Sequence, residues 1–145
     1  MQDYQPIPSF QLDHDTMQPG LYCLGISHGV YTYDLRFKRP NAGDYVSTAA
    51  MHSLEHMFAT VIRNSDCKDD VIYFGPMGCR TGCYLLLYQI PIEQAKPLII
   101  RCLQTCLQLD HVPGCAPIEC GNCADHDLQG ARAEIRAYLD LLQSN

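Results

Sequence analysis

Little in this chain would attract a polyanion. Its 10 Lys and Arg are outnumbered by 16 Asp and Glu, for a formal net charge of −6. That excludes a nucleic-acid backbone or an anionic membrane as the main partner. No apolar run approaches the roughly 20 residues needed to span a bilayer. Met1–Phe10 lacks the basic region and apolar stretch of a secretory signal, so a cytoplasmic protein is expected. Linker-like stretches and internal repeats are also missing. What remains reads as one domain over residues 1–145, with apolar content of 47 % and charged content of 18 %, an ordinary balance for a single core.

Cysteine, by contrast, is abundant: nine residues, an odd count without a signal peptide. This is no disulfide framework. In a reducing cytosol the thiols stay free, and most act as small buried hydrophobes. Cys102 and Cys106, four apart in an apolar segment, read as packing on one helix face.

The pattern of apolar residues places the elements. Met1–Gly20 is expected to be mostly extended. Leu21–Ser27 and Val30–Phe37 are rich in strand formers and flank His28-Gly29, so they read as a hairpin. Arg39-Pro40-Asn41 breaks the second strand. Thr48–Arg63 is helical, with Leu54, Met57, Phe58, Val61 and Ile62 on its apolar face. Val71–Phe74 reads as a strand, Gly75-Pro76-Met77-Gly78 as a turn, and Cys83–Ile90 as a second, very apolar strand. Glu93–Leu109 is helical, with Pro97 tolerable only near its first turn. Val112–Cys123 is an irregular loop and Leu128–Leu142 a closing amphipathic helix. This order favours an α+β domain, an antiparallel sheet with helices packed on one side.

Three segments carry possible chemistry. In His52-Ser53-Leu54-Glu55-His56, two imidazoles four apart share one helix face, the spacing at which both can hold one metal ion. Glu55 faces the same side, a carboxylate beside the metal. H-x-x-E-H is also the inverzincin order of the metalloprotease signature, and the combination suits Lewis-acid chemistry with a base at hand. In Gly75-Pro76-Met77-Gly78-Cys79-Arg80-Thr81-Gly82, three glycines let the backbone approach a ligand, and Cys79 lies beside a cation that favours its thiolate. The third segment holds Cys115, Cys120, Cys123 and His126, with C-x-x-C spacing at Cys120 and Cys123. It forms either a closed structural zinc site or lends one thiolate to His52 and His56, leaving a position open. Spacing does not decide between these.

Taken together, the motifs are similar to those of a known family. Ser9-Phe10-Gln11-Leu12-Asp13-His14, Tyr33-Asp34-Leu35-Arg36-Phe37, Arg39-Pro40-Asn41, the H-S-L-E-H run, the glycine-rich segment around Cys79, and Cys120-Gly121 with His126-Asp127-Leu128 follow one another in an order that resembles the S-ribosylhomocysteine lyase (LuxS) family. The likeness runs from about residue 9 to about residue 136. It implies a homodimer of α+β subunits with active sites at the subunit interface. It also implies one divalent metal per subunit, Fe2+ in the first place, with Zn2+ or Co2+ able to substitute. The metal ligands would be His52, His56 and Cys120, leaving Cys115, Cys123 and His126 out. Cys79 and Glu55 would be the acid/base residues, and Ser9, His14, Arg36 and Arg63 would bind substrate.

The activity so implied is cleavage of S-ribosylhomocysteine to homocysteine and 4,5-dihydroxy-2,3-pentanedione, the autoinducer-2 precursor of quorum sensing and a product of homocysteine recycling. Protons must move between adjacent sugar carbons so that the carbonyl migrates, and homocysteine thiolate then leaves by β-elimination. A thiol that cycles between both forms near neutral pH suits the first task. Two positions depart from the family pattern: Tyr73 stands where an acidic residue usually holds the substrate's amino-acid end, and Gly75 stands where a serine precedes Pro-Met-Gly-Cys. Two other readings remain on the residues: an inverzincin-type metallopeptidase, with Glu134 as a remote third ligand, and a zinc-stabilised, non-enzymatic binding module built on Cys115–His126.

Overall fold

The hairpin turns on the two residues expected. His28 (φ 55°) and Gly29 (φ 78°) both take the left-handed conformation, the requirement of a two-residue turn whose twist matches its strands. They join β1 (Gly20–Ser27) to β2 (Val30–Arg36) in antiparallel register, Ser27 opposite Val30 and Gly20 opposite Arg36. A Cβ at Gly29 would meet the Tyr88 ring at 2.8 Å, so glycine is needed there for space as well as for φ. β3 (Val71–Pro76) and β4 (Gly82–Tyr88) complete an all-antiparallel sheet of order β1-β2-β4-β3. The computed structural model describes residues 3–144; the extended reading of Met1 and Gln2 lies outside them.

Three helices cover one face of the sheet. α1 (Thr48–Ile62) starts where Ser47 accepts a hydrogen bond from the Ala50 N–H, and α3 (Leu128–Gln143) where Asp127 accepts from the Gly130 N–H. α1 buries Ala50, Met51, Leu54, Met57, Phe58 and Ile62, at helical spacing. Val61, expected on that face, is only half-buried. The helices enclose Tyr33, Leu35, Cys83, Leu85 and Leu87 of β2 and β4, all fully buried. The fold is therefore the expected α+β arrangement in one domain.

Several boundaries moved for identifiable reasons. β3 continues through Gly75 and Pro76, which pair with Tyr84 and Cys83; an edge strand tolerates a proline because its outer side needs no donor. The turn is displaced to Met77–Thr81, where the Arg80 N–H donates to the Met77 carbonyl at 3.0 Å and Arg80 has φ 60°. Cys79 thus sits on the tip of a tight turn between two paired strands. β4 stops at Tyr88 because Gln89 adopts φ 54°. α2 (Ile92–Cys106) begins one residue before the expected Glu93 and ends three before the expected Leu109, and Pro97 lies in its second turn. Pro97 and Glu93, whose carbonyl loses its helical partner, are both exposed, so water can replace the bond. Cys102 and Cys106 are buried under α2, as packing residues should be, and burial pushes their thiols up to about 11 and about 12. The N-terminal segment carries a 3-10 turn at Pro8–Gln11 in its otherwise irregular course.

Candidate active site

α1 presents His52 and His56 on the side away from its apolar face, and the loop before α3 folds back over them. The ring nitrogens of His52, His56 and His126 and the sulfur of Cys120 all lie within 4.8 Å of one another. Cys120 Sγ is 3.4 Å from His52 Nε2, 3.9 Å from His56 Nε2 and 3.5 Å from His126 Nε2. The His52 and His126 rings stack with centroids 3.9 Å apart.

The far nitrogens explain why these rings converge. His52 Nδ1 lies 2.8 Å from the Asp125 carbonyl, and His56 Nδ1 lies 2.9 Å from the Pro113 carbonyl. A carbonyl only accepts, so each Nδ1 carries the proton and each Nε2 turns a lone pair inward. Gly114 (φ 67°) lets the loop pass close to His56: a Cβ there would stand 3.5 Å from Nδ1. Two imidazoles oriented by carbonyls, beside a thiol, form a donor set that suits a divalent transition metal. Burial, and next the presence of two further ionisable imidazoles at His52 and His56, hold His126 below the usual imidazole range.

Cys115 and Cys123 stand outside this convergence. Glu134 is also outside it, paired with Lys38 at 3.1 Å. The three-thiol, one-imidazole cluster of a closed zinc module and the glutamate ligand of an inverzincin are both missing from the described residues. His126, which the family likeness left out, is inside the cluster.

A second constellation surrounds Cys79. On β2, Asp34 and Arg36 point to the same face, and the Arg36 Nη2 donates to Asp34 Oδ2 at 2.6 Å. The other arm, Nη1, donates to Thr81 Oγ1 at 2.8 Å and reaches Cys79 Sγ at 3.9 Å. Cys79 Sγ is 3.1 Å from Thr81 Oγ1. Burial alone would raise the Cys79 thiol, but hydrogen bonds from Thr81 and the nearby Arg36 charge outweigh it and bring the group below the usual thiol range. Arg80 is turned away, donating to the Val46 carbonyl at 3.1 Å. The cation that faces the thiol is therefore Arg36.

The remaining site residues are spread around the sheet. Glu55 is half-buried on α1, and after burial itself its charge is the next cause that raises the Cys83 thiol. His14 is half-buried, and its charge reaches Asp34. Ser9 lines a cleft of about 540 Å³ on the uncovered sheet face, with Thr32, Tyr73, Tyr84 and Leu86. Arg63 caps the far end of α1 and donates to the carbonyls of Val71 and Ile72, both at 3.4 Å. Tyr73 lies back along its own strand, its hydroxyl directly over Gly75 where a Cβ would stand. The two departures from the family pattern thus occupy one space.

Ser53, Asp34 and Thr81 were missed in the sequence. Asp34 was findable, since i and i+2 on a strand share a face; Ser53 and Thr81 matter through contacts distant in sequence.

Comparison with known proteins agrees with the geometry. The model of the family S-ribosylhomocysteinase (LuxS) matches residues 7–145. A protein of Borrelia garinii subsp. bavariensis named S-ribosylhomocysteine lyase is 35% identical over 145 residues, 95% of this chain and 92% of that one. Proteins of the same name from Porphyromonas gingivalis and Macrococcus caseolyticus are 36% and 38% identical, over 93% and 92% of this chain and 89% and 85% of theirs.

Proposed function

The chain belongs to the S-ribosylhomocysteinase (LuxS) family, and we propose that it is a metal-dependent carbon–sulfur lyase that splits S-ribosylhomocysteine into homocysteine and 4,5-dihydroxy-2,3-pentanedione. The observation that carries this reading is the coexistence of an inward-facing His52, His56 and Cys120 set with a separate, activated thiol at Cys79. A structural zinc site has no use for the second feature.

His52, His56 and Cys120 would hold one divalent ion, iron(II) first and zinc or cobalt as substitutes, which when bound supplies Lewis-acid polarisation of the sugar carbonyl. The chain's own groups do the rest. The Cys79 thiolate takes the proton from the carbon beside the carbonyl and returns it one carbon along, so the carbonyl moves down the chain. Arg36 and Thr81 favour the thiolate from which each abstraction starts and to which the sulfur returns once it has given the proton back. Once the carbonyl stands two bonds from the thioether carbon, Glu55 removes the proton between them. The electron pair forms a C=C bond and the C–S bond breaks, releasing homocysteine thiolate. Ser9, His14, Arg36 and Arg63 bind the substrate.

The active unit is proposed to be a cytoplasmic homodimer with the sites at the interface. Support comes from the uncovered sheet face and its edge, where Ile26, Ile72, Tyr73 and Tyr88 stay 59%, 48%, 49% and 40% exposed. No described helix is long and apolar enough to cross a membrane.

Incubating the iron-loaded protein with S-ribosylhomocysteine should release one free thiol and one dicarbonyl per substrate, read by a thiol reagent and by diamine trapping. Chelation should stop turnover and leave the far-UV circular dichroism in place. Unfolding on chelation, without any thiol release beforehand, would favour the zinc-stabilised module.

A further inference from the structure

His126 brings its Nε2 as close to Cys120 as the two histidines of the H-S-L-E-H run do. Distance alone would make it a fourth ligand and close the site. What stands behind each ring says otherwise. Behind His52 and His56 are carbonyl oxygens. Behind His126 is a hydroxyl: Nδ1 lies 2.9 Å from Ser53 Oγ.

Ser53 is fully buried, and among the described residues its hydroxyl meets two groups. One is the Asp127 backbone N–H, which can only donate, at 2.8 Å. The other is His126 Nδ1. A buried hydroxyl seeks an acceptor for its own proton, and the ring nitrogen is the acceptor at hand. His126 Nδ1 therefore accepts, and in the neutral ring the proton sits on Nε2. That N–H points at Cys120 Sγ, 3.5 Å away.

We propose that His126 is a positioning residue for the metal centre: oriented by Ser53, it donates an N–H···S hydrogen bond to the Cys120 thiolate instead of ligating the metal, and so keeps the fourth position open for substrate. The inference rests on the metal reading above. It gives Ser53 a task that requires a hydroxyl on α1 to reach a residue beyond the Cys120 loop. The hydrogen bond draws electron density from the thiolate, which sharpens the metal's pull on an oxygen ligand. Segment 125–127 then serves the centre three times: the Asp125 carbonyl fixes His52, the His126 ring addresses Cys120, and Asp127 caps α3 and anchors Ser53.

Cobalt(II)-loaded protein gives a readout independent of turnover, because its sulfur-to-metal charge-transfer band reports the thiolate directly. Wild type should bind one cobalt. His126→Leu should still bind one, with an affinity lowered by roughly 10–100-fold, as for other outer partners, and with the band moved to lower energy. His126→Gln, whose amide can donate to the same sulfur, should recover part of the shift. Ser53→Ala frees Nδ1 to hold the proton, so X-ray absorption should show a third nitrogen at the metal in place of an exchangeable oxygen. Loss of stoichiometric cobalt in His126→Leu, to the extent seen in His52→Ala, would make His126 a ligand and overturn the proposal. An unmoved band in both His126 variants would overturn it equally while leaving the lyase reading intact. A wild-type protein that binds no cobalt, iron or zinc would sink the metal reading itself.

Discussion

Arg36 and Asp34 stand two residues apart on β2 with 2.6 Å between Nη2 and Oδ2, and the pair is 1% and 0% exposed. Burying such a pair yields little net stability, because desolvation offsets the attraction. Burial leaves the Asp34 carboxyl raised above its usual range despite Arg36. The arrangement fixes one arm of a planar fork so that the other meets Thr81 and Cys79.

Arg36→Met should therefore move the Cys79 thiol back toward its ordinary range. The sign follows from the cause: a cation that favours the thiolate lowers the pH at which it forms, and its removal raises that pH. Alkylation of Cys79 by iodoacetamide, followed against pH by peptide mass spectrometry, should shift to higher pH and slow at neutrality. Exposed Cys23 is the internal reference. An unchanged profile would remove Arg36 from the thiol's activation.

Loss of a ligand should be more severe than loss of an outer partner. His52→Ala, His56→Ala and Cys120→Ala should each lower metal affinity by more than the roughly 10–100-fold typical of outer partners, with activity falling in step. Metal analysis after gel filtration reads this. Full metal in Cys120→Ala would place the third ligand elsewhere.

Cys79→Ala and Glu55→Gln should keep both metal and fold. Turnover should fall by roughly 10²–10⁴-fold, the usual range for a lost acid or base. Wild-type release of homocysteine by Cys79→Ala would end the shuttle assignment.

Gly82 pairs with Arg36 across the β2–β4 ladder, and a Cβ there would stand 2.9 Å from the Leu35 carbonyl and 3.3 Å from Arg36 Nε. Gly82→Ala should cost about 1–3 kcal/mol of stability by overpacking, measured by denaturant titration. It should also displace the guanidinium, so the Cys79 alkylation profile shifts in the same direction as in Arg36→Met.

Tyr73 offers a hydroxyl where the family likeness implies a carboxylate for the substrate's ammonium. Tyr73→Asp should tighten binding through a charge-assisted contact, lowering KM with kcat little changed. A KM that stays level or rises would mean another group already holds the ammonium.

The elements were legible because their signals are local. His28-Gly29 announced its turn, and Leu54, Met57 and Phe58 announced the buried face of α1. The H-S-L-E-H spacing placed two imidazoles together, whereas the arrival of both Cys120 and His126 beside them depends on a distant loop that no local signal announces. Ladder pairing was less legible: nothing near Gly75 and Pro76 says that Tyr84 and Cys83 will extend their strand. The ranking of Arg36 over Arg80 beside Cys79 likewise depended on the β2–β4 register, which the neighbouring sequence does not encode.

The Tyr73 hydroxyl lying on the empty Gly75 position makes the order of change at these sites matter. A serine at 75 forces the phenol out of its resting rotamer, at a cost of order 0.5–1.5 kcal/mol for an off-rotamer side chain. An engineer converting this strand to the acid-and-serine form should therefore replace Tyr73 first. The reverse route, Gly75→Ser in the presence of Tyr73, passes through a protein in which the phenol and the new side chain compete for one position beside the cleft that Tyr73 lines with Ser9 and Tyr84.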